Sequence, residues 1–411
     1  MPEPSRTFVI VGGGMAGGKA AETLRAEGFD GRVVIVAAEP VAPYERPPLS
    51  KGYLAGASPR EEALLQPEAW WAEHGIELRT GRRATALDPA SRRVELDDGA
   101  ELRYDRLLLA TGAVPRRPPI AGAGLDGVLT LRTLADSDAL RERLARPGAR
   151  LAIVGGGWIG CEAAAAARAL GAEVTLLEAA AQPLAGVLGA SLGAVFADLH
   201  RDHGVDVRTG VAVDEIGGRG RVEHVRLADG ERIACDTVLL AVGVAPDTAL
   251  AEAAGLAVDD GIVVDERLAA SAPDVLAAGD AARAFHPRYR RHVRVEHWST
   301  ALNQGIAAGR LLLGAGEPYA RLPSFFSDQY DLGLEYVGLH APGDRLVVRG
   351  DAAARRLVAV WLDGGRRPTA AMHVNEWDAI EPLRRLVETA APVDPERVAD
   401  ASVPLEELAG A

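Results

Sequence analysis

Two glycine triplets carry the first sign of chemistry: Gly12, Gly14 and Gly17, and Gly155, Gly157 and Gly160, both spaced G-x-G-x-x-G. An apolar run precedes each (TFVIV, RLAIV) and an alanine-rich stretch follows, the order expected of strand, tight turn and helix. Such a unit aims helix N-terminal amides at a pyrophosphate. The first glycine makes the turn, the second lets the backbone approach the phosphate, and the third lets the helix lie on the strand. One triplet alone is weak evidence. Here each is followed by a second apolar strand ending in an acid, Glu39 after RVVIVAA and Glu178 at the end of EVTLLE, near the spacing at which a carboxylate accepts a ribose hydroxyl. Glu178 is followed by Ala179, Ala180, Ala181 and Gln182 rather than arginine, which favours an unphosphorylated ribose and hence NADH over NADPH. In VLAAGDAAR, Asp280 follows an apolar strand and a glycine. By itself that is an ordinary turn, but beside two glycine loops Asp280 becomes a candidate acceptor for the ribityl hydroxyls of a flavin.

The elements that must position these residues repeat. Leu96 to Arg116, LDDGAELRYDRLLLATGAVPR, aligns with Leu227 to Asp247, LADGERIACDTVLLAVGVAPD; in both, an Asp-Gly turn joins a hairpin and an apolar strand follows. The chain therefore contains two related nucleotide-binding units. After about Leu322 the pattern changes to alternating strands, GLEYVGL, DRLVVRG and RRLVAVWL, then an amphipathic helix at roughly Trp377 to Glu388 and a proline-containing tail expected to wrap the surface.

Bulk properties narrow the classes. A chain of 411 residues is too long for one core, and 48% hydrophobic with 25% charged residues suits a globular protein. The net charge of −13 argues against nonspecific nucleic-acid binding. The two cysteines, Cys161 and Cys235, form no CxxC or similar spacing, so neither a disulfide framework, a zinc site nor a redox-active thiol pair is expected. The uncharged stretch Ala179 to Ala197 holds Pro183 and several glycines and reads as loop and helix, not as a membrane span. Lys19 interrupts the first apolar stretch and no small-residue cleavage site follows it, so no signal peptide is expected and a cytoplasmic location is.

GGGMAG, PYERPPLSKGYL (Pro43 to Leu54), LLLATGAVPR, GGGWIGCE, LLAVGVAPD, VLAAGDAA, RVEHW and FFSDQYD occur in this order. The set resembles the ferredoxin and rubredoxin reductases of the glutathione-reductase-like flavoprotein superfamily, and is similar to the reductases serving Rieske dioxygenases and bacterial cytochrome monooxygenases. The resemblance covers almost the whole chain, and PPLSK with SDQYD is its most specific part. It implies that Lys51 and Glu162 form an ion pair near the flavin N5. It also implies that Arg46, Arg132 and the Ala110, Thr111 and Gly112 turn contact FAD, that Glu296 and Trp298 lie by the flavin or nicotinamide, and that Ile159 and the turn from Gly243 to Pro246 line the nicotinamide side. Where such reductases often carry PWFWSDQYD, Ser324 and Phe326 replace two tryptophans.

The expected fold is α/β, with two Rossmann-like dinucleotide-binding domains and a C-terminal α+β domain. FAD falls to residues 1–116 and 244–320, NAD to 117–243, and the C-terminal domain to 321–411. The expected activity is transfer of electrons from NADH through FAD to a small iron–sulfur protein. HPRYRRHVR supplies Arg288, Arg290, Arg291 and Arg294 as a basic stretch that either steers an acidic ferredoxin or forms a solvated hairpin. Alternatives are an NADH oxidase or quinone-type reductase, favoured by the missing tryptophans, and a redox-sensing flavoprotein. DLGLEYVG and HVNEWDAI resemble apoptosis-inducing-factor-like oxidoreductases as much as the ferredoxin reductases, which leaves open a partner other than a standard ferredoxin.

Overall fold

Strand Thr7–Val11 is apolar at every position but its first, and from Phe8 to Val11 it is buried. That pattern suits the middle of a parallel sheet covered on both faces. It pairs in parallel with Arg32–Ala37 on one side and with Arg106–Leu109 on the other. The five-stranded sheet continues outward to Ile76–Thr80 and Val275–Ala277. Strand Arg150–Val154 occupies the same central place in a second sheet, between Glu173–Glu178 and Thr237–Leu240, with Asp206–Thr209 and Val128–Leu129 outside them. The sequence repeat is thus a repeat of topology. Each copy also carries its three-stranded antiparallel sheet, Ala84–Asp88, Arg93–Leu96 and Glu101–Arg103 in the first, and Val213–Gly217, His224–Leu227 and Arg232–Ala234 in the second.

A computed structural model describes residues 6–408, so the outermost residues of the expected segments 1–116 and 321–411 lie outside the described residues. The chain divides into two units: Met1–Arg46, Pro59–Val114 and Val244–Arg321 form one, and Pro47–Ser58, Pro115–Gly243 and Leu322–Ala411 form the other. In the first, helix Met15–Ala26 packs along helix Trp298–Leu312. The approach is close because Gly305 and Gly309 face it; a Cβ on Gly305 would stand 2.5 Å from the Ala16 carbonyl oxygen, and one on Gly309 2.7 Å from Thr23 Cβ.

In the second unit, five antiparallel strands run in the order Ser324–Gln329, Leu332–Gly338, Pro368–Val374, Arg356–Leu362, Arg345–Asp351, with helix Ile380–Thr389 against them. Leu334, Trp361 and Met372 of this sheet share one hydrophobic core with Ile153, Phe196 and Leu239. Three details differ from expectation. Strand Pro368–Val374 was not anticipated, because PTAAMHV is buried at six of seven positions and shows no alternation. The amphipathic helix starts later, after a single 3₁₀ turn at Trp377–Ala379. The tail is not merely draped: Asp394 caps a short helix, Pro395–Ala399, and Pro395 and Val398 are buried. The uncharged stretch forms helix Ala185–Leu188 and most of helix Ala190–Asp202, and no helix among the described residues is long and apolar enough to cross a membrane.

Candidate functional site

The two glycine loops have the same geometry. Gly12 and Gly155 adopt φ of 125° and 107°, and a Cβ there would collide with the Ala110 and Ala241 carbonyl oxygens at 1.9 and 2.4 Å. A Cβ on Gly17 or Gly160 would meet the oxygen of Gly12 or Gly155 at 2.0 and 2.1 Å, so no larger residue lets either helix start where it does. Gly14 and Gly157 have nothing within 4 Å of where a Cβ would stand. Each is the N-cap of its helix, Met15–Ala26 or Trp158–Ala169, with no side-chain cap and no acid in the first turn. Uncapped N-termini leave amide donors facing open space, which suits an anion.

In the first unit, Glu39 lies just beyond its strand and accepts from Tyr44 Oη (2.5 Å) and Arg46 Nη2 (3.0 Å). Arg46 also feels Asp280; burial opposes its charge, but Tyr44, Glu39 and Asp280 together raise its pKa. Asp280 sits in the 3₁₀ turn Gly279–Ala281, and Gly279 N donates to Gln304 Oε1 at 2.8 Å. Thr111 Oγ1 donates to the Asp247 carbonyl (2.6 Å), and Asp247 N to the Gly112 carbonyl (2.9 Å), which fixes the turn beyond Ala110. Trp298 opens helix Trp298–Leu312 and donates from Nε1 to Glu45 at 3.2 Å. Glu45's pKa is raised by desolvation. Glu296 forms an ion pair with Arg294, which also pairs with Asp260. Arg294 is 11% exposed and so leaves the expected basic surface set; Arg288, Arg290 and Arg291 are exposed on the hairpin made by Ala282–His286 and Arg291–Val293.

In the second unit, Lys51 Nζ lies 2.8 Å from Glu162 Oε1, with the two side chains only 18% and 5% exposed. Glu162 is buried on helix Trp158–Ala169 and is held by two further donors, Ser50 Oγ at 2.5 Å and Ser327 Oγ at 2.7 Å. A buried carboxylate needs this satisfaction. Lys51 Nζ also stands 5.4 Å from the Phe326 ring centroid, and Asp328's pKa is raised by desolvation, with Lys51 opposing and Glu162 reinforcing. Phe325 alternates to the other face of its strand and packs on Trp158 and Tyr336. Glu178 folds back on its own loop, accepting from Gly156 N and Ala180 N, both at 2.6 Å. Ile159 is 41% exposed in the first turn after Gly157. Arg132 N donates to Asp136 Oδ2 beside the capping box of helix Leu134–Leu144, and Gly243, at φ 90°, accepts from Arg116 N.

The sequence pointed to Lys51, Glu162, Arg46 and Trp298 but not to their partners Ser50, Ser327, Tyr44 and Glu45, although all four partners lie inside or beside the PYERPPLSK and SDQYD motifs. Cys161 and Cys235 are free and buried. Desolvation pushes both thiols up, Cys235 to about 12, with Glu162 and Glu178 adding to the effect at Cys161. No group of three or more potential metal ligands occurs among the described residues.

The family described as pyridine nucleotide-disulphide oxidoreductase matches residues 6–305, and the one described as reductase C-terminal matches residues 324–409. The chain belongs to this oxidoreductase family. It is 44% identical, over 99% of both chains, to the 5,5′-dehydrodivanillate O-demethylase ferredoxin reductase subunit of Sphingobium sp.. It is 41% identical to the anthranilate 1,2-dioxygenase system ferredoxin–NAD(+) reductase component of Burkholderia cepacia, over 97% of this chain and 98% of that one. Its fold matches the reductase in a crystal structure of the covalent putidaredoxin reductase–putidaredoxin complex, with a TM-score of 0.93, 38% identity and 98% of each chain covered. As a member, the oxidoreductase uses FAD and NAD(H), and its two open, uncapped glycine loops fit two dinucleotides.

Proposed function

We propose that this oxidoreductase passes electrons from NADH, through FAD, to a small iron–sulfur protein of ferredoxin type. The observation that carries the reading is two intact glycine loops in a chain whose only two thiols are buried and held protonated. Electrons received from a nicotinamide therefore have no side-chain disulfide to enter and leave to an external acceptor. The relatives with which the chain is collinear are named as ferredoxin reductases.

FAD, when bound, supplies the chemistry of accepting two electrons as hydride and passing them on one at a time. The chain's own residues bind, orient and balance charge. Gly12, Gly14 and Gly17 with helix Met15–Ala26 are assigned to the flavin dinucleotide, and Gly155, Gly157 and Gly160 with helix Trp158–Ala169 to the nicotinamide one. Glu39, Arg46 and Asp280, together with Thr111, Arg132, Glu296 and Trp298, are assigned to FAD, and Ile159, Glu178 and Gly243 to NAD. Glu178 has both oxygens engaged by backbone amides, so a 2′-phosphate would add negative charge beside a fixed carboxylate; this supports NADH as the donor. Lys51 is held in place by Glu162 and brings a positive charge that favours a reduced, negatively charged ring system. The segments 1–116 and 244–320 are assigned to FAD, 117–243 to NAD and 321–411 to a C-terminal domain, and the location is proposed to be cytoplasmic.

The test is NADH-driven cytochrome c reduction by the purified protein, with and without a panel of small ferredoxins and a rubredoxin. The expected result is strong acceleration by one iron–sulfur protein. Fast reduction of oxygen or quinone with no acceleration by any of the panel would overturn the reading in favour of an oxidase.

A further inference from the structure

His200 is wholly buried on helix Ala190–Asp202, among Leu192, Phe196 and Leu199, where an imidazole has no place unless both nitrogens find partners. Both do. Nε2 lies 3.1 Å from Gln329 Oε1, and Nδ1 lies 3.1 Å from Tyr330 Oη. Gln329 Nε2 then donates to Ser327 Oγ at 3.2 Å, and Ser327 Oγ donates to Glu162 Oε1 at 2.7 Å, the oxygen that also takes the Lys51 ammonium. Ser327 and Gln329 reach inward together because they are two residues apart on strand Ser324–Gln329 and both buried, while Asp328 between them is exposed.

The direction of this chain follows from its end. A carboxylate only accepts, so Ser327 must give its single proton to Glu162 and must accept from the Gln329 amide N–H. That leaves Gln329 Oε1 as acceptor, so His200 carries its proton on Nε2, and Nδ1 accepts from the Tyr330 hydroxyl. Burial, which holds the His200 pKa down to about 4, agrees with a neutral ring. Tyr330 itself sits at φ 56°, a left-handed conformation uncommon for an aromatic residue, in the turn that aims its hydroxyl at the ring.

We propose that Tyr330, His200, Gln329 and Ser327 form a one-way hydrogen-bond chain that fixes the orientation of Glu162, making His200 and Gln329 positioning residues for the Lys51–Glu162 pair. They act through the carboxylate. The inference rests on the proposed role of that pair in electron entry. It adds that the pair is anchored from the interior by a histidine on a helix no motif marked.

The test is a double-substitution cycle in the FAD-loaded protein, read by the rate at which NADH bleaches the flavin absorbance and by the flavin midpoint potential. Gln329→Met is expected to slow bleaching about 5-fold, and to shift the potential in the same direction as Glu162→Gln. In the Glu162→Gln background it is expected to change neither further. His200→Leu should match Gln329→Met, and His200→Gln, which can still donate to Gln329, should restore most of the rate. Independent, multiplying effects of Gln329→Met and Glu162→Gln would overturn the proposal, as would a lowered melting temperature with rate and potential unchanged. If His200→Leu does not fold, Gln329→Met and His200→Gln decide alone. If NADH fails to bleach even the unsubstituted protein, the electron-transfer reading fails instead. The same cycle read by denaturant unfolding of the FAD-loaded protein then decides the chain: non-additive losses support it and additive ones overturn it.

Discussion

Replacing Lys51 by methionine keeps the length of the side chain but leaves Glu162 buried with a serine at each oxygen and no counter-charge. The expected cost is about 3 kcal/mol of unfolding free energy, measured by denaturant titration, because breaking one side of a buried pair strands the other charge. Slower flavin bleaching by NADH should accompany it. His200 gives a second residue-scale expectation. Its folded-state pKa of about 4 lies below the unfolded 6.5, so between these values the unfolded chain binds the extra proton. This contribution is therefore full above pH 6.5 and lost as pH falls towards 4, by at most about 3 kcal/mol. Melting temperature followed over that window should fall less steeply in His200→Gln than in the parent; equal slopes would assign the loss to other groups. At this scale the sequence was legible where residue type and spacing state a mechanism, as with Gly12, Gly17, Gly155 and Gly160, whose close contacts the spacing foretold. Lys51 and Glu162 were legible only through family resemblance, since more than a hundred residues separate them. His200 gave no signal, because one histidine on an apolar helix face looks the same whether or not it has partners.

At the scale of elements, the helix pair Met15–Ala26 and Trp298–Leu312 sets where Gly14 and Trp298 stand, and the pair is close because Gly305 and Gly309 lack side chains. Gly305→Ala pushes a methyl into the Ala16 carbonyl and is expected to cost about 1–3 kcal/mol. It should also lower the FAD retained after gel filtration, measured by absorbance per chain; full retention would mean that the loop tolerates the shift. The parallel strands were readable because burial on both faces forces unbroken apolar runs such as FVIV and LAIV. Strand Pro368–Val374 escaped because it is buried at nearly every position, polar His373 included, and so shows no alternation, the cue sought in an antiparallel sheet. The tail helix escaped because five residues are too few to show a period.

At the scale of the molecule, net charge and patch differ. The protein carries −13 overall, yet Arg288, Arg290 and Arg291 stand exposed on one hairpin. Replacing Arg290 and Arg291 by Glu is expected to raise the apparent KM for an acidic ferredoxin several-fold, most at low salt, while ferricyanide reduction is unchanged. Equal loss with both acceptors would remove the hairpin from docking. The repeat showed two nucleotide-binding folds but not how the chain is shared between them: Pro47–Ser58, the segment bearing Lys51, belongs with Pro115–Gly243, although the residues on both sides of it belong to the other unit. That sharing has a consequence during synthesis. Neither unit is a continuous stretch, so a nascent chain cannot finish the first until Val244–Arg321 has left the ribosome, nor the second until Leu322–Ala411 has. The glycine loop around Gly12 is made first but must wait, with its apolar strand exposed, for Val275–Ala277 and helix Trp298–Leu312. Recombinant yield should thus depend on chaperone supply and growth temperature more than the stability of the finished protein would suggest.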